Sequence, residues 1–231
     1  MARKAIEAFH QHLPANTLGR DFFVGDIHGR LDALLLALGQ VSFNPQTDRV
    51  IAVGDLIDRG LNSYELLKLT REPWFFSVRG NHETMLLDAN DHFSLALWLT
   101  NGGEWFMELD GEAALDCYAL ALSLPTALTV GTPNDKVIGI CHAEWGFNDW
   151  SQVETKMQDP KQVSTMLWGR KIIKEKICKW DKSAVLTVHG HTPVTKAKKL
   201  GSALFIDTGC VHGGHLTLIE RRDALAMPSA C

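Results

Sequence analysis

The chain has no apolar run approaching the roughly 18 to 20 residues that span a bilayer, so no helical membrane span is predicted. It has no basic excess either: 23 Lys and Arg stand against 27 Asp and Glu, a net charge of −4. A global basic surface for nucleic acid is thereby excluded. The five cysteines (Cys117, Cys141, Cys178, Cys210 and Cys231) are odd in number and show no CxxC spacing. That usage predicts reduced thiols in a cytoplasmic protein, not a disulfide framework or a zinc knot. No apolar h-region follows Met1-Ala2-Arg3-Lys4-Ala5-Ile6-Glu7, so no secretory signal is expected. No linker, repeat or low-complexity stretch interrupts the sequence. The expectation is one domain over 21–231, large enough for one sizeable core, behind a polar, partly helical lead-in over 1–20.

What is present is a rhythm. The apolar run 50–53 ends at Gly54 and reads as a buried strand. The loop GDLIDRG then presents Asp55, Asp58 and Arg59 at the strand's C-terminal end, where α/β proteins bind ligands. The same arrangement occurs after 22–24, with GDIHGR, and after 74–78, with RGNHE. Helices are predicted between these units. Leu31, Leu34, Leu35 and Leu38 recur at helical spacing with Gly39 placed to end the helix, and Asn62 and Glu65 form a capping pattern. The reading is mostly helical over 82–121, broken at Asn101-Gly102-Gly103. Strands at 126–130 and 137–141 form a hairpin, the second delivering His142. A short helix over 161–167 precedes Trp168-Gly169-Arg170, and strands follow at 184–188, 203–206 and 215–219. Strand, loop and helix in alternation predict an α/β fold.

The residues that end these strands form a set: Asp26, His28, Asp55, Asn81, His82, His142 and His191. Carboxylate, imidazole and amide ligands suit Mn²⁺, Fe or Zn²⁺ and fit Ca²⁺ poorly. Without cysteine in the set, a structural zinc site is not expected. The ligands are too many for one ion that must also bind water and substrate, so a two-metal site is the economical reading.

GDIHGR, GDLIDRG, RGNHE, CHAE and HGHTP, in that order, resemble the motifs of the calcineurin-like metallophosphoesterases, and within them the phosphoprotein phosphatase family. The small bacterial and bacteriophage lambda-type enzymes are the most similar. The likeness extends through Asn101-Gly102-Gly103-Glu104-Trp105-Phe106, Trp168-Gly169-Arg170 and Asp207-Thr208-Gly209, covering nearly the whole chain from about residue 20. The resemblance implies a central β-sandwich of mixed sheets flanked by helices, with a dinuclear metal site at the strand ends. It also implies two divalent ions per chain, foremost Mn²⁺, with Fe and Zn as alternatives. Asp26, His28 and Asp55 would hold the first ion. Asp55, Asn81, His142 and His191 would hold the second, making Asp55 the bridge. His82 would be the general acid and Asp58 its orienting partner, with Arg59, Arg170 and Asn81 on the substrate.

The implied reaction is hydrolysis of phosphoserine and phosphothreonine in proteins by in-line attack of a hydroxide generated at the metals, with tolerance for phosphotyrosine or aryl phosphates. One rival is a symmetric dinucleoside tetraphosphate hydrolase, which generally lacks the Asp-Arg-Gly ending and has Asp in place of Glu83. A phosphodiesterase or nuclease is disfavoured by the acidic charge and the paired arginines. An inactive phosphoprotein-binding module would be expected to have lost a ligand, and none is missing. His189 is expected to be structural, and His10, His12, His92, His212 and His215 to be surface or fold residues. Trp98, Trp105 and Phe106 are read as core. Glu144 has two readings, discrimination against acidic substrates or a hydrogen bond to a supporting group.

Overall fold

In the computed structural model, residues 7–231 are described and largely follow the predicted rhythm. β1 (His10–Leu13) and β2 (Asp21–Val24) precede α1 (Leu31–Gln40), and β3 (Arg49–Ala52) precedes α2 (Ser63–Lys68). β4 (Phe75–Ser77) leads into α3 (Asn81–Asp88), α4 (His92–Trp98) and α5 (Gly111–Leu122). β5 (Ala127–Gly131) and β6 (Val137–Cys141) make the hairpin, followed by α6 (Val153–Met157), α7 (Pro160–Trp168) and α8 (Lys171–Glu175). β7 (Ala184–His189), β8 (Lys198–Leu200), β9 (Ala203–Phe205), β10 (Leu218–Glu220) and α9 (Arg221–Ala226) come last.

The strands form two mixed sheets, one in the order β1-β5-β6-β7-β9-β8 and one in the order β10-β2-β3-β4. Alternation along the β3 region builds the layers. Val50 and Ala52 pack with Leu34, Leu66 and Leu86 of the helices over one face. Ile51 and Val53 point the other way and meet Leu128, Ile140, Val188 and Leu204 of the larger sheet. Buried on both faces, this run could only be continuously apolar. On the outer face of the larger sheet, Trp145, Trp150, Val153 and Met166 cover Ala127, Cys141 and Ala184. The sandwich with flanking helices therefore stands as expected.

Three expectations need correction. Residues 10–13, taken as part of a partly helical lead-in, are strand β1, paired in parallel with β5 through His10↔Ala127 to Leu13↔Val130. A partner over a hundred positions away leaves no local signal. The part of that reading on residues 1–6, and the absence of a secretory h-region read there, lie outside the described residues. Asn62 gives α2 no side-chain cap. The third is the cysteines: Cys178 and Cys231 are joined by a disulfide, while Cys117, Cys141 and Cys210 are free and buried. The tail returns along β8, where Ala230 N–H donates to the Lys199 carbonyl, and this brings together two cysteines 53 positions apart. Spacing rules read only near neighbours and miss such a pair. Among the described residues no helix is long and apolar enough to cross a membrane.

Candidate active site

The sheets place the loops after β2, β3, β4, β6 and β7 at one rim, around a cavity of about 210 Å³. Asp26, His28, Asp55, Arg59, Asn81, His82, Arg170 and His191 all line it, and His142 lies fully buried beneath. All the residues predicted for the site except Asp58 and His142 thus face one cavity, and those two touch residues that do.

Holding them costs backbone strain. His28, Asp55, Asp58, Arg59 and His191 all have φ between 48° and 75°, a region that side chains other than glycine seldom enter. Glu83 over-determines part of this geometry. Its carboxylate accepts from the backbone N–H groups of Gly80 (2.7 Å), Asp55 (3.0 Å) and Leu56 (2.7 Å). The loops also approach closely enough to require glycine. A Cβ on Gly80 would lie 2.1 Å from Asp55 Oδ1, and one on Gly190 would lie 1.9 Å from Asp26 Oδ1.

Asp55 is the centre. Its Oδ1 lies 3.3 Å from His142 Nε2 and its Oδ2 lies 3.6 Å from His28 Nε2. Donor atoms converge in two groups that share it, His28–Asp55–His82 and Asp55–His142–His191. The tautomers suit ligation. His28 Nδ1–H donates to the Ile57 carbonyl (2.9 Å) and His142 Nδ1–H to that of Val53 (2.8 Å), turning both Nε2 atoms inward. His142 Nε2 also meets Asn81 Oδ1 at 2.9 Å, so it faces two acceptor oxygens. Only a proton or a cation reconciles them. Burial opposes the proton, yet the Asp55 carboxylate pushes His142 up to about 10. Burial lowers His28 and His191 to about 3, leaving neutral imidazoles with free lone pairs. Burial and the charge of Asp207 raise Asp26 well above the ordinary carboxylate range. Its oxygens accept from His191 N–H at 3.2 and 3.0 Å, so Asp26 lines the cavity outside the two converging groups.

Two guanidinium groups lie where positive charge is called for. Arg59 Nη1 donates to His28 Nε2 (2.6 Å) and Nη2 to His82 Nε2 (2.9 Å), while Arg170 Nε donates to His191 Nε2 (3.1 Å). An arginine stabilised against imidazole lone pairs is a stand-in for a cation, so the donor set fits divalent ions.

His82 Nδ1–H donates to Asp58 Oδ2 at 2.6 Å, and Asp58 is fully buried. Here the sequence reading missed two residues. Trp98 and Trp105 do pack in the core as expected, but their indole N–H groups also donate to Asp58 Oδ2 and Oδ1, each at 2.8 Å. Their near-helical spacing was a signal read only as packing, and the kink at Gly102 between them is what lets both indoles reach one carboxylate. His189 donates from Nδ1 to the Cys141 carbonyl and accepts from Thr187, away from the cavity.

Glu144 resolves to its second reading. Buried, it accepts the Ile172 backbone N–H at 2.7 Å and so fastens the start of α8, two residues beyond Arg170. Glu144→Ala is expected to free that turn and raise the KM for phosphomonoesters about tenfold, since a hydrogen bond to a buried charge is worth about 1.5–3 kcal/mol. Glu144→Gln, which keeps an acceptor, should stay near wild type. Inhibition by inorganic phosphate provides a second readout on the expectation that Arg170 takes phosphate, and equal inhibition of Glu144→Ala and wild type would remove this role.

The model for the calcineurin-like phosphoesterase family matches residues 22–225. Serine/threonine-protein phosphatase 1 of Salmonella typhimurium is 37% identical over 218 residues, covering 92% of this chain and 96% of that protein. A symmetrical bis(5'-nucleosyl)-tetraphosphatase of Yersinia pestis is 46% identical, but over 99 residues that cover only 34% of each. A crystal structure described as that of a candidate diadenosine tetraphosphatase shares the fold, with a TM-score of 0.70 at 24% identity over 94% of this chain and 96% of that one.

Proposed function

Because the chain belongs to the calcineurin-like phosphoesterase family, we propose that it is a serine/threonine protein phosphatase acting on phosphorylated proteins or peptides. Its cofactors in this reading are two divalent ions, foremost Mn²⁺, held by Asp26, His28 and Asp55 on one side and by Asp55, Asn81, His142 and His191 on the other. When bound, such a pair makes hydroxide available near neutral pH and neutralises phosphoryl oxygens.

The chain's own residues supply the rest. With the imidazole lone pairs otherwise engaged, Arg59 and Arg170 are released to take the phosphate, where guanidinium forms bidentate hydrogen bonds. His82 gives a proton to the departing serine or threonine oxygen from Nε2. Asp58 fixes the His82 tautomer from the other side and stabilises its charged form. The observation that carries this reading is the 2.6 Å His82–Asp58 contact at the edge of the converging donors, since an alkoxide leaves only with a proton. Aryl phosphates, with better leaving groups, should also turn over.

The second reading is a symmetric dinucleoside tetraphosphate hydrolase, favoured by the 46% identity to the Yersinia pestis tetraphosphatase over 99 residues. Against it stand Asp58, Arg59 and Glu83, and a protein phosphatase relative aligned over nearly the full length. Metal-stripped protein restored with Mn²⁺ should release phosphate from a phosphoserine peptide and little from diadenosine tetraphosphate. The opposite ratio would move the function to nucleotide hydrolysis. The cytoplasmic location expected from reduced thiols loses that support with the disulfide. A Cys178–Cys231 disulfide is ordinarily a feature of oxidising compartments, so the oxidation state of that pair in cells tests the location.

A further inference from the structure

Strand β1 runs along the edge of the larger sheet, and alternation sends Leu13 into the sandwich core. His10 and His12 project from the other face, toward Glu154 of α6. His10 Nδ1 lies 3.1 Å from Glu154 Oε1, and His12 Nε2 lies 3.6 Å from the same oxygen. Donor atoms of all three side chains fall within 4.8 Å of one another. We propose that His10, His12 and Glu154 form a binding site for a Zn²⁺-class divalent cation, separate from the catalytic cavity.

The spacing carries this assignment. Ligands held about 2.0–2.1 Å from a tetrahedral ion lie roughly 3.3 Å apart, so only small rotations separate the present contacts from coordination. Two imidazoles and one carboxylate select Zn²⁺, Co²⁺ or Ni²⁺ over Ca²⁺ or Mg²⁺, and leave a fourth position for water. The support behind His10 is already in place. Its Nε2 lies 2.8 Å from Thr129 Oγ1, which also accepts the Trp150 indole N–H at 2.7 Å. A hydroxyl oxygen can accept twice, so Thr129 can hold the His10 proton on Nε2 and leave Nδ1 bare toward Glu154. Burial lowers the His10 pKa, with the Glu154 hydrogen bond working against it, and favours the neutral ligand form. Without a cation, the reverse tautomer donates from Nδ1 to Glu154, so binding displaces one hydrogen bond.

None of the three residues lines the catalytic cavity. The ion would fasten β1 to α6, whose Val153 and Met157 pack with Trp145 and Trp150. His12 and Glu154 are 65% and 70% exposed, so replacing them leaves the core intact. Zn²⁺ bound per chain is measured by equilibrium dialysis for wild type, His12→Ala and Glu154→Gln. Each variant should bind one equivalent fewer than wild type while keeping wild-type Mn²⁺-dependent hydrolysis of an aryl phosphate. Asp55→Asn should lose cavity ions but retain the β1–α6 equivalent. Equal Zn²⁺ stoichiometry in wild type and both surface variants would overturn the proposal, whatever the activity proves to be.

Discussion

His82→Asn is expected to lower kcat on a phosphoserine peptide by about 10²–10⁴-fold while both divalent ions stay bound. On an activated aryl phosphate the loss should be at least about tenfold smaller, because a weakly basic leaving group needs little help from an acid. Asparagine is the informative replacement. Asp58 is fully buried and accepts from His82, Trp98 and Trp105, so deleting His82 outright would leave a buried carboxylate short of a donor. An asparagine amide offers an N–H on the same side, which keeps the cost in stability small. The decisive comparison is the ratio of losses on the alkyl and aryl substrates. Equal losses would mean that His82 binds or orients phosphate through Arg59, which it already touches, and does not deliver a proton.

How much of this was legible in the sequence depended on whether the signal was local. The strands that end in the cavity announced themselves by a short apolar run and a polar ligand, with a glycine directly before the ligand after β2, β3, β4 and β7 but not after β6, where His142 follows Cys141 at once. Residues 50–53 were unmistakable because β3 is buried on both faces. Strand β1 was not legible, because His10-Gln11-His12-Leu13 carries one buried apolar residue and pairs with residues 127–130. Strand β8 was missed although its partner β9 is close in sequence, because two lysines in three residues leave it only Leu200 as a buried apolar residue. The positive φ values at His28, Asp55, Asp58, Arg59 and His191 left no mark on composition, since the strain is held by tertiary contacts such as those of Glu83. Glu83 enters the sequence reading only as a discriminator between families, and its grip on Gly80 and on the backbone from strained Asp55 to Ile57 emerges only when α3 is seen to start against β3's loop. Trp98 and Trp105 were assigned correctly to packing but incompletely, because an indole N–H gives no sequence clue to its acceptor. The residues that carry the metal-type donors were legible; those that hold them in place largely were not.

Asp55→Asn should remove more activity than any other single change, on the order of 10⁴-fold or more, and unlike His82→Asn it should do so by losing ions. Asp55 belongs to both converging groups, so its charge serves both sides of the cavity. The amide keeps the shape but supplies neither a full negative charge nor a second acceptor. If the assigned amide oxygen takes the Oδ1 place it can still accept the His82 N–H now held at 3.0 Å, while its nitrogen turns toward His28. Fold stability of the metal-free protein should change far less than activity. In the metal-free protein, the Asp55 charge raises the pKa of Asp26, Glu83 and Asp207 beyond the effect of burial, so removing it relieves repulsion among buried carboxyls. It also deprives His142 of the partner that keeps it charged. These effects oppose each other, and the metal-free variant should unfold near the wild-type midpoint. Added Mn²⁺ should raise the wild-type midpoint by mass action and leave that of Asp55→Asn nearly unmoved. Metal content and thermal midpoint, measured with and without Mn²⁺ on both variants, separate the two roles. A variant Asp55→Asn that retains two ions and activity within tenfold of wild type would end the bridging assignment.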